Sequence, residues 1–151
     1  MNLGEFNGEN NKSIMKKFSK DEQKEWMKTF TSTARTLYRG CWFFDFLREV
    51  FINCESQRDQ KLSKVASAAY DKALGPHHPW LLRKVAGAAM IALNSRDTFL
   101  ANYGNEQAEV QGVEYNEEKT YQDFVFLGQQ AEQLAEKLWA FCKENGCDKL
   151  P

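Results

Sequence analysis

Proline is scarce in this chain, three residues in 151, and no sustained alternation of apolar and polar residues occurs anywhere along it. Both absences argue against a sheet and for helices throughout, and the lack of any recurring unit argues against a solenoid. The cysteines Cys41, Cys54, Cys142 and Cys147 form no CxxC pair, and no secretory signal opens the chain, so reduced thiols in the cytosol are expected. His77 and His78 are the only two histidines. Being adjacent, they do not converge on one ion, and neither a metal nor a cofactor is expected. No apolar run approaches the roughly 20 residues that span a bilayer. Even residues 43–52 are interrupted by Asp45, Arg48 and Glu49. Charge of one sign is lacking too: 20 Lys and Arg face 21 Asp and Glu, a net charge of -1. No global basic field exists to hold a nucleic acid or a strongly anionic membrane, so any anion site must be local. Paired carboxylates, a nucleophile–base motif and a phosphate-cradling loop are all missing, and an enzyme is not expected.

What is present is helical periodicity sized for one domain. Residues 1–11, rich in Asn, Gly and Glu, read as a flexible leader before a folded domain over 12–151. A charged helix is expected over 12–28, with Ser19 and Glu22 as an internal start signal. Thr31, Ser32 and Thr33 offer capping hydroxyls before the strongest helix, 34–53. A further amphipathic helix over 60–74 ends at Gly75-Pro76. Pro79 suits the first position of the next helix, which runs to Leu93, is apolar around most of its circumference and is expected in the middle of a bundle. Ser95 or Asp97 opens a short helix to Tyr103, closed by Gly104. A polar loop over 105–116 precedes a last helix over 117–144, with Gly146 as its stop.

Arg35 and Arg39 stand four residues apart on the strongest helix, on the line that continues through Trp42, Phe46 and Val50. A stripe of apolar side chains ending in two stacked guanidiniums suits an amphiphile with an anionic head, whose oxygens accept paired, charge-assisted hydrogen bonds. On spacing alone, two solvated charges at the end of a core stripe are the ordinary reading. A second feature is Tyr70, followed eight residues later by His78-Pro79-Trp80 at the start of the most apolar helix. On spacing alone His78 is a cap or a packed side chain.

Taken in order, residues 34–40 (Ala-Arg-Thr-Leu-Tyr-Arg-Gly), the aromatic stripe, residues 70–74 (Tyr-Asp-Lys-Ala-Leu) and residues 78–84 (His-Pro-Trp-Leu-Leu-Arg-Lys) resemble the second half of the glycolipid transfer protein domain. Residues 96–100 and 148–151 are similar to its closing segments. The resemblance implies an all-α fold, a two-layer helical sandwich. It implies a carrier that moves a sphingolipid between membranes and touches them transiently. Within the superfamily, the members that select sugars place a tryptophan where Arg39 stands. Those that select phosphorylated ceramide carry an Arg-x-x-x-Arg pair, which Arg35 and Arg39 match; a different register would bring only Arg35 into that pair. By the same resemblance His78 would bond the amide region of the lipid. Phe43, Phe46, Val50, Leu82, Val85 and Ala89 would help to line the space for its chains. Trp80, with Arg83 and Lys84 beside it, would meet the membrane; ordinary core is the other reading of Trp80.

The family's upstream helices, bearing an acidic residue closely followed by Lys or Asn, find no match in the 34 residues before Arg35. The chain thus resembles an N-terminally truncated member, with one wall of the sandwich missing and an apolar face left open. That departure supports an alternative, a helical protein–protein interaction module derived from the same fold without transfer activity. Oligomeric state is not legible.

Overall fold

A computed structural model describes residues 19–146, and they are helical with short connections. The expected leader, the first turns of the helix expected from Lys12, Cys147 and residues 148–151 lie outside the described residues. Five α-helices follow one another: α1 (Lys20–Ser56), α2 (Leu62–Ala73), α3 (Trp80–Ile91), α4 (Arg96–Gln111) and α5 (Glu117–Glu144), with a single 3-10 turn, Gly75–His77, between α2 and α3. Among the described residues there is no strand, and no helix is long and apolar enough to cross a membrane. The chain divides into two compact units, Met1–Cys41 with Leu134–Pro151, and Trp42–Gln133.

The capping box at Ser19 is formed. Ser19 N–H donates to Glu22 Oε2 at 2.7 Å, and Glu22 N–H donates to Ser19 Oγ at 3.3 Å. The expected second start at residues 31–33 is not used, and α1 runs on without a break. Its hydroxyls turn back on the helix instead, Thr33 Oγ1 donating to the Thr29 carbonyl and Thr36 Oγ1 to that of Ser32. Hydroxyls of this kind satisfy themselves inside a helix as readily as they cap one.

In the first unit Ala34, Cys41, Ala135 and Cys142 are buried. Tyr38 meets Trp139 edge to face with ring centroids 5.6 Å apart, and the Cys41 and Cys142 sulfurs lie 3.8 Å apart as thiols.

In the second unit the core gathers Cys54, Leu62, Leu100, Tyr121 and Phe124, with Phe51, Phe99, Tyr103 and Leu127 packed against it. Arg96, only 8% exposed, ties this core to the end of α1: its guanidinium donates to the carbonyls of Cys54, Gln57 and Gln60. Ser95, one of the two expected openers of α4, is its cap, Oγ accepting from Thr98 N–H at 3.2 Å. Helix α4 does not stop at Gly104 as expected. It continues to Gln111 and ends in a Schellman motif, with Gly112 at φ 67° and Val113 N–H donating to the Ala108 carbonyl. Gly104 serves close approach instead: a Cβ there would overlap the Tyr115 ring and stand 2.7 Å from Thr120 Oγ1. Asn116 Oδ1 accepts from Lys119 N–H at 2.9 Å and opens α5 where expected.

Helix α3 departs most from expectation. None of its residues is buried. It meets α2, and Ala86, Gly87 and Met90 are its half-buried positions, while Val85 is 60% and Ile91 80% exposed. An all-round apolar sequence marks a helix meant to leave water, but it does not say whether protein or lipid is to cover it.

Candidate functional site

Arg35 and Arg39 occupy successive turns of α1 in the first unit, both exposed. Among the described residues neither is paired with a carboxylate. Other guanidiniums are engaged: Arg48 with Glu49 and Glu132, Arg58 with Glu55 and Glu118, Arg96 with three carbonyls. The residues buried on this stretch are Ala34 and Cys41, so the arginines stand on the outward side of the helix.

His78 belongs to the second unit, and its position follows from local covalent geometry. Leu74 N–H bonds back to the Tyr70 carbonyl and closes α2. Gly75 then turns the chain at a place where a Cβ would stand 3.3 Å from the Tyr70 carbonyl oxygen. Pro76 is the second residue of the 3-10 turn. Pro79 denies its predecessor the helical region, and His78 is accordingly extended at φ -102°, ψ 137°. Pro79 itself sits one residue earlier than expected, as the cap of α3 and not its first residue; its carbonyl accepts from Arg83 N–H at 3.1 Å. The turn brings the half-buried His78 against the end of α2, where its Nδ1 lies 2.7 Å from the hydroxyl of buried Tyr70. The neighbouring His77 stacks on Trp42 of α1, centroids 3.9 Å apart. Burial pushes the His77 imidazole below its usual value, the adjacent His78 acts in the same direction, and Asp45 opposes both.

The residues expected to line the chain space remain within reach of solvent. Phe43 is 49% exposed, Phe46 and Val50 are half-buried, and Leu82, Val85 and Ala89 on α3 are exposed. A cleft of about 590 Å³ in the second unit is lined by Arg58, Lys61, Leu62, Ile91, Ser95 and Arg96 among others, and by none of the expected pocket residues. Trp80 is 71% exposed, which removes the core reading left open for it. A half-buried carboxylate, Glu49, accepts from Lys72 Nζ at 2.8 Å and from Arg48. Burial alone would raise its pKa, but these two cations outweigh that and hold it below the usual value.

Arg35, Arg39 and His78 stand out in the sequence as candidates, but two contacts beside them do not. The spacing of Tyr70 marks it in the sequence, but does not show that it bonds His78. The Trp42–His77 stack gave no signal at all, because nothing in a sequence reports that a turn will lay one ring on another.

The family model for glycolipid transfer protein matches residues 5–105, two-thirds of the chain. It begins inside the expected leader, reaches through the segment before Arg35, and ends within α4. A ceramide-1-phosphate transfer protein of Danio rerio is 50% identical over 44 residues, 29% of this chain and 21% of that protein. The protein of the same name from Xenopus laevis is 35% identical over 81 residues, 52% of this chain and 36% of its own length. That of Xenopus tropicalis is 43% identical over 44 residues, 29% of this chain and 20% of its own. The chain therefore spans about a fifth to about a third of the length of these curated relatives. No solved structure matches it.

Proposed function

The chain belongs to the glycolipid transfer protein family, and from that premise we propose that it is a carrier of phosphorylated sphingolipid, of the ceramide-1-phosphate type, between membranes facing the cytosol. The observation that carries this reading is the pair Arg35 and Arg39, exposed one turn apart and without carboxylate partners among the described residues. A solvated guanidinium has little to gain from a surface carboxylate. It has more to gain from a phosphate, whose oxygens accept bidentate hydrogen bonds from the planar fork. Relatives named ceramide-1-phosphate transfer proteins lend the same chemistry support.

In this reading Arg35 and Arg39 grip the headgroup and His78 bonds the amide region. Phe43, Phe46, Val50, Leu82, Val85 and Ala89 shelter the chains, and Trp80 rests at the membrane interface. No covalent bond is made or broken. Each methylene taken from water contributes roughly 0.8 kcal/mol, so apolar side chains left open to solvent are worth most when a lipid chain covers them. The direct test is transfer of phosphorylated ceramide between liposomes, with wild type and Arg39→Leu compared. The variant is expected to lose most of the transfer while the folded chain keeps its Tm. Equal rates would remove the phosphate assignment.

A second reading, a helical interaction module without transfer activity, is favoured by the exposure of α3 alone. It predicts no transfer of any sphingolipid by wild type, and binding of a helical partner that substitutions at Arg35 and Arg39 leave intact.

A further inference from the structure

We propose that Tyr70 is a positioning residue for ligand recognition: its hydroxyl donates to Nδ1 of His78 and so fixes the imidazole as the tautomer that carries its proton on Nε2. The inference rests on the reading of His78 as the group that meets the lipid amide, and adds to it the residue that decides which way the ring can act.

The hydroxyl of Tyr70 and Nδ1 of His78 are 2.7 Å apart. A neutral imidazole holds one proton, so its two nitrogens are one donor and one acceptor, and the hydrogen bond made by one sets the role of the other. Either direction is open to this pair in principle. The surroundings of Tyr70 decide between them. Its side chain is buried, and among the described residues His78 is its only side-chain hydrogen-bond partner. Were Nδ1 the donor, the phenol proton would be left in the protein interior without an acceptor, an unfavourable burial that the opposite direction avoids. With the phenol donating, Nδ1 is the acceptor and Nε2 carries the hydrogen.

Among the described residues His78 makes no other side-chain hydrogen bond. Its Nε2–H meets no protein acceptor among the described residues and can donate to a ligand in place of water, which a carbonyl oxygen suits and an ammonium or a second N–H does not. The ligand group selected is therefore an acceptor such as an amide carbonyl. The ring is held for this from both sides of the covalent chain: Pro79 fixes the extended backbone of His78, and Gly75 admits the close turn that returns it to Tyr70. A metal ligand is often oriented by a second partner in just this way, and the logic needs no metal.

The first test is nitrogen-15 NMR of the histidine rings in the full chain at pH 8. Wild type is expected to show His78 protonated on Nε2 and bare on Nδ1, and Tyr70→Phe to show both tautomers. A wild-type ring protonated on Nδ1 overturns the proposal, whether or not the variant folds.

The second test measures binding to phosphatidylcholine vesicles that contain either ceramide phosphate or its deacylated counterpart, which has no amide carbonyl. Wild type should prefer the acylated lipid. Tyr70→Phe should lower that preference about twofold, the dilution of the competent tautomer when both are populated, and should have no further effect in a His78→Ala background. An unchanged preference in Tyr70→Phe also overturns the proposal. If wild type binds neither lipid, the carrier reading fails, while the ring measurement still decides what Tyr70 does to His78.

Discussion

The imidazole of His77 lies flat on the indole of Trp42, with planes inclined by 2° and centroids 3.9 Å apart. This stack joins α1 to the turn that leads into α3, and it does so with a ring whose charged form is disfavoured. Burial and the neighbouring His78 hold the His77 pKa down against Asp45. The unfolded chain therefore takes up the His77 proton at a higher pH than the folded one does, and stability must fall as pH drops below the ordinary histidine value of about 6.5.

Thermal unfolding at pH 7.5 and 5.5 checks this. Tm should be lower at pH 5.5, and His77→Gln should flatten the difference. The carboxyls of Glu22, Glu49 and Glu118 are held below the ordinary carboxylate range, so their protonation falls at pH below that interval. A His77→Gln profile as steep as wild type would assign the slope elsewhere.

Arg96 is buried and, among the described residues, without a carboxylate partner, held by the carbonyls that end α1 and begin the link to α2. Replacing it with alanine leaves those acceptors inside the protein with nothing to accept from. The expected cost is about 3 kcal/mol, the scale of losing charge-assisted bonds to buried groups. Chemical denaturation measures it, and a loss below about 1 kcal/mol would mean that water takes over the guanidinium's role.

The exposed face of α3 makes an opposite prediction. Substituting Leu81 or Val85 by glutamate removes an apolar side chain that is largely in water already. Stability should change by no more than about 0.5 kcal/mol, whereas co-sedimentation with phosphatidylcholine vesicles should drop sharply. If stability collapses and vesicle binding persists, α3 is packed in solution against protein and not offered to lipid.

Much of the helical framework was legible in the sequence because its signals are local. The Ser19 box, the Gly75-Pro76 break, Ser95 and the start of α5 each rest on a side chain within a few residues of the backbone group it satisfies. What failed needed knowledge from farther along the chain. Thr31 to Thr33 resemble a cap until α1 is seen to pass through them. Gly104 reads as a terminator until Tyr115 and Thr120 are found against it. Helix α3 reads as core because hydrophobic periodicity reports that a face must be covered, not by what. The candidate site was legible in the same partial way. The spacing of Arg35 and Arg39 and the His78-Pro79 pair were visible, and the bond from Tyr70 to His78 required the turn that only the fold supplies.

The phosphate assignment is tested most directly by a double cycle of ligand and protein. Equilibrium affinities for ceramide phosphate and for unphosphorylated ceramide are measured with wild type and with the chain carrying both Arg35→Gln and Arg39→Gln. Removing the phosphate should weaken binding by wild type at least tenfold, and should matter far less to the doubly substituted chain. The same ratio for both chains would mean that the two guanidiniums of α1 do not meet the headgroup.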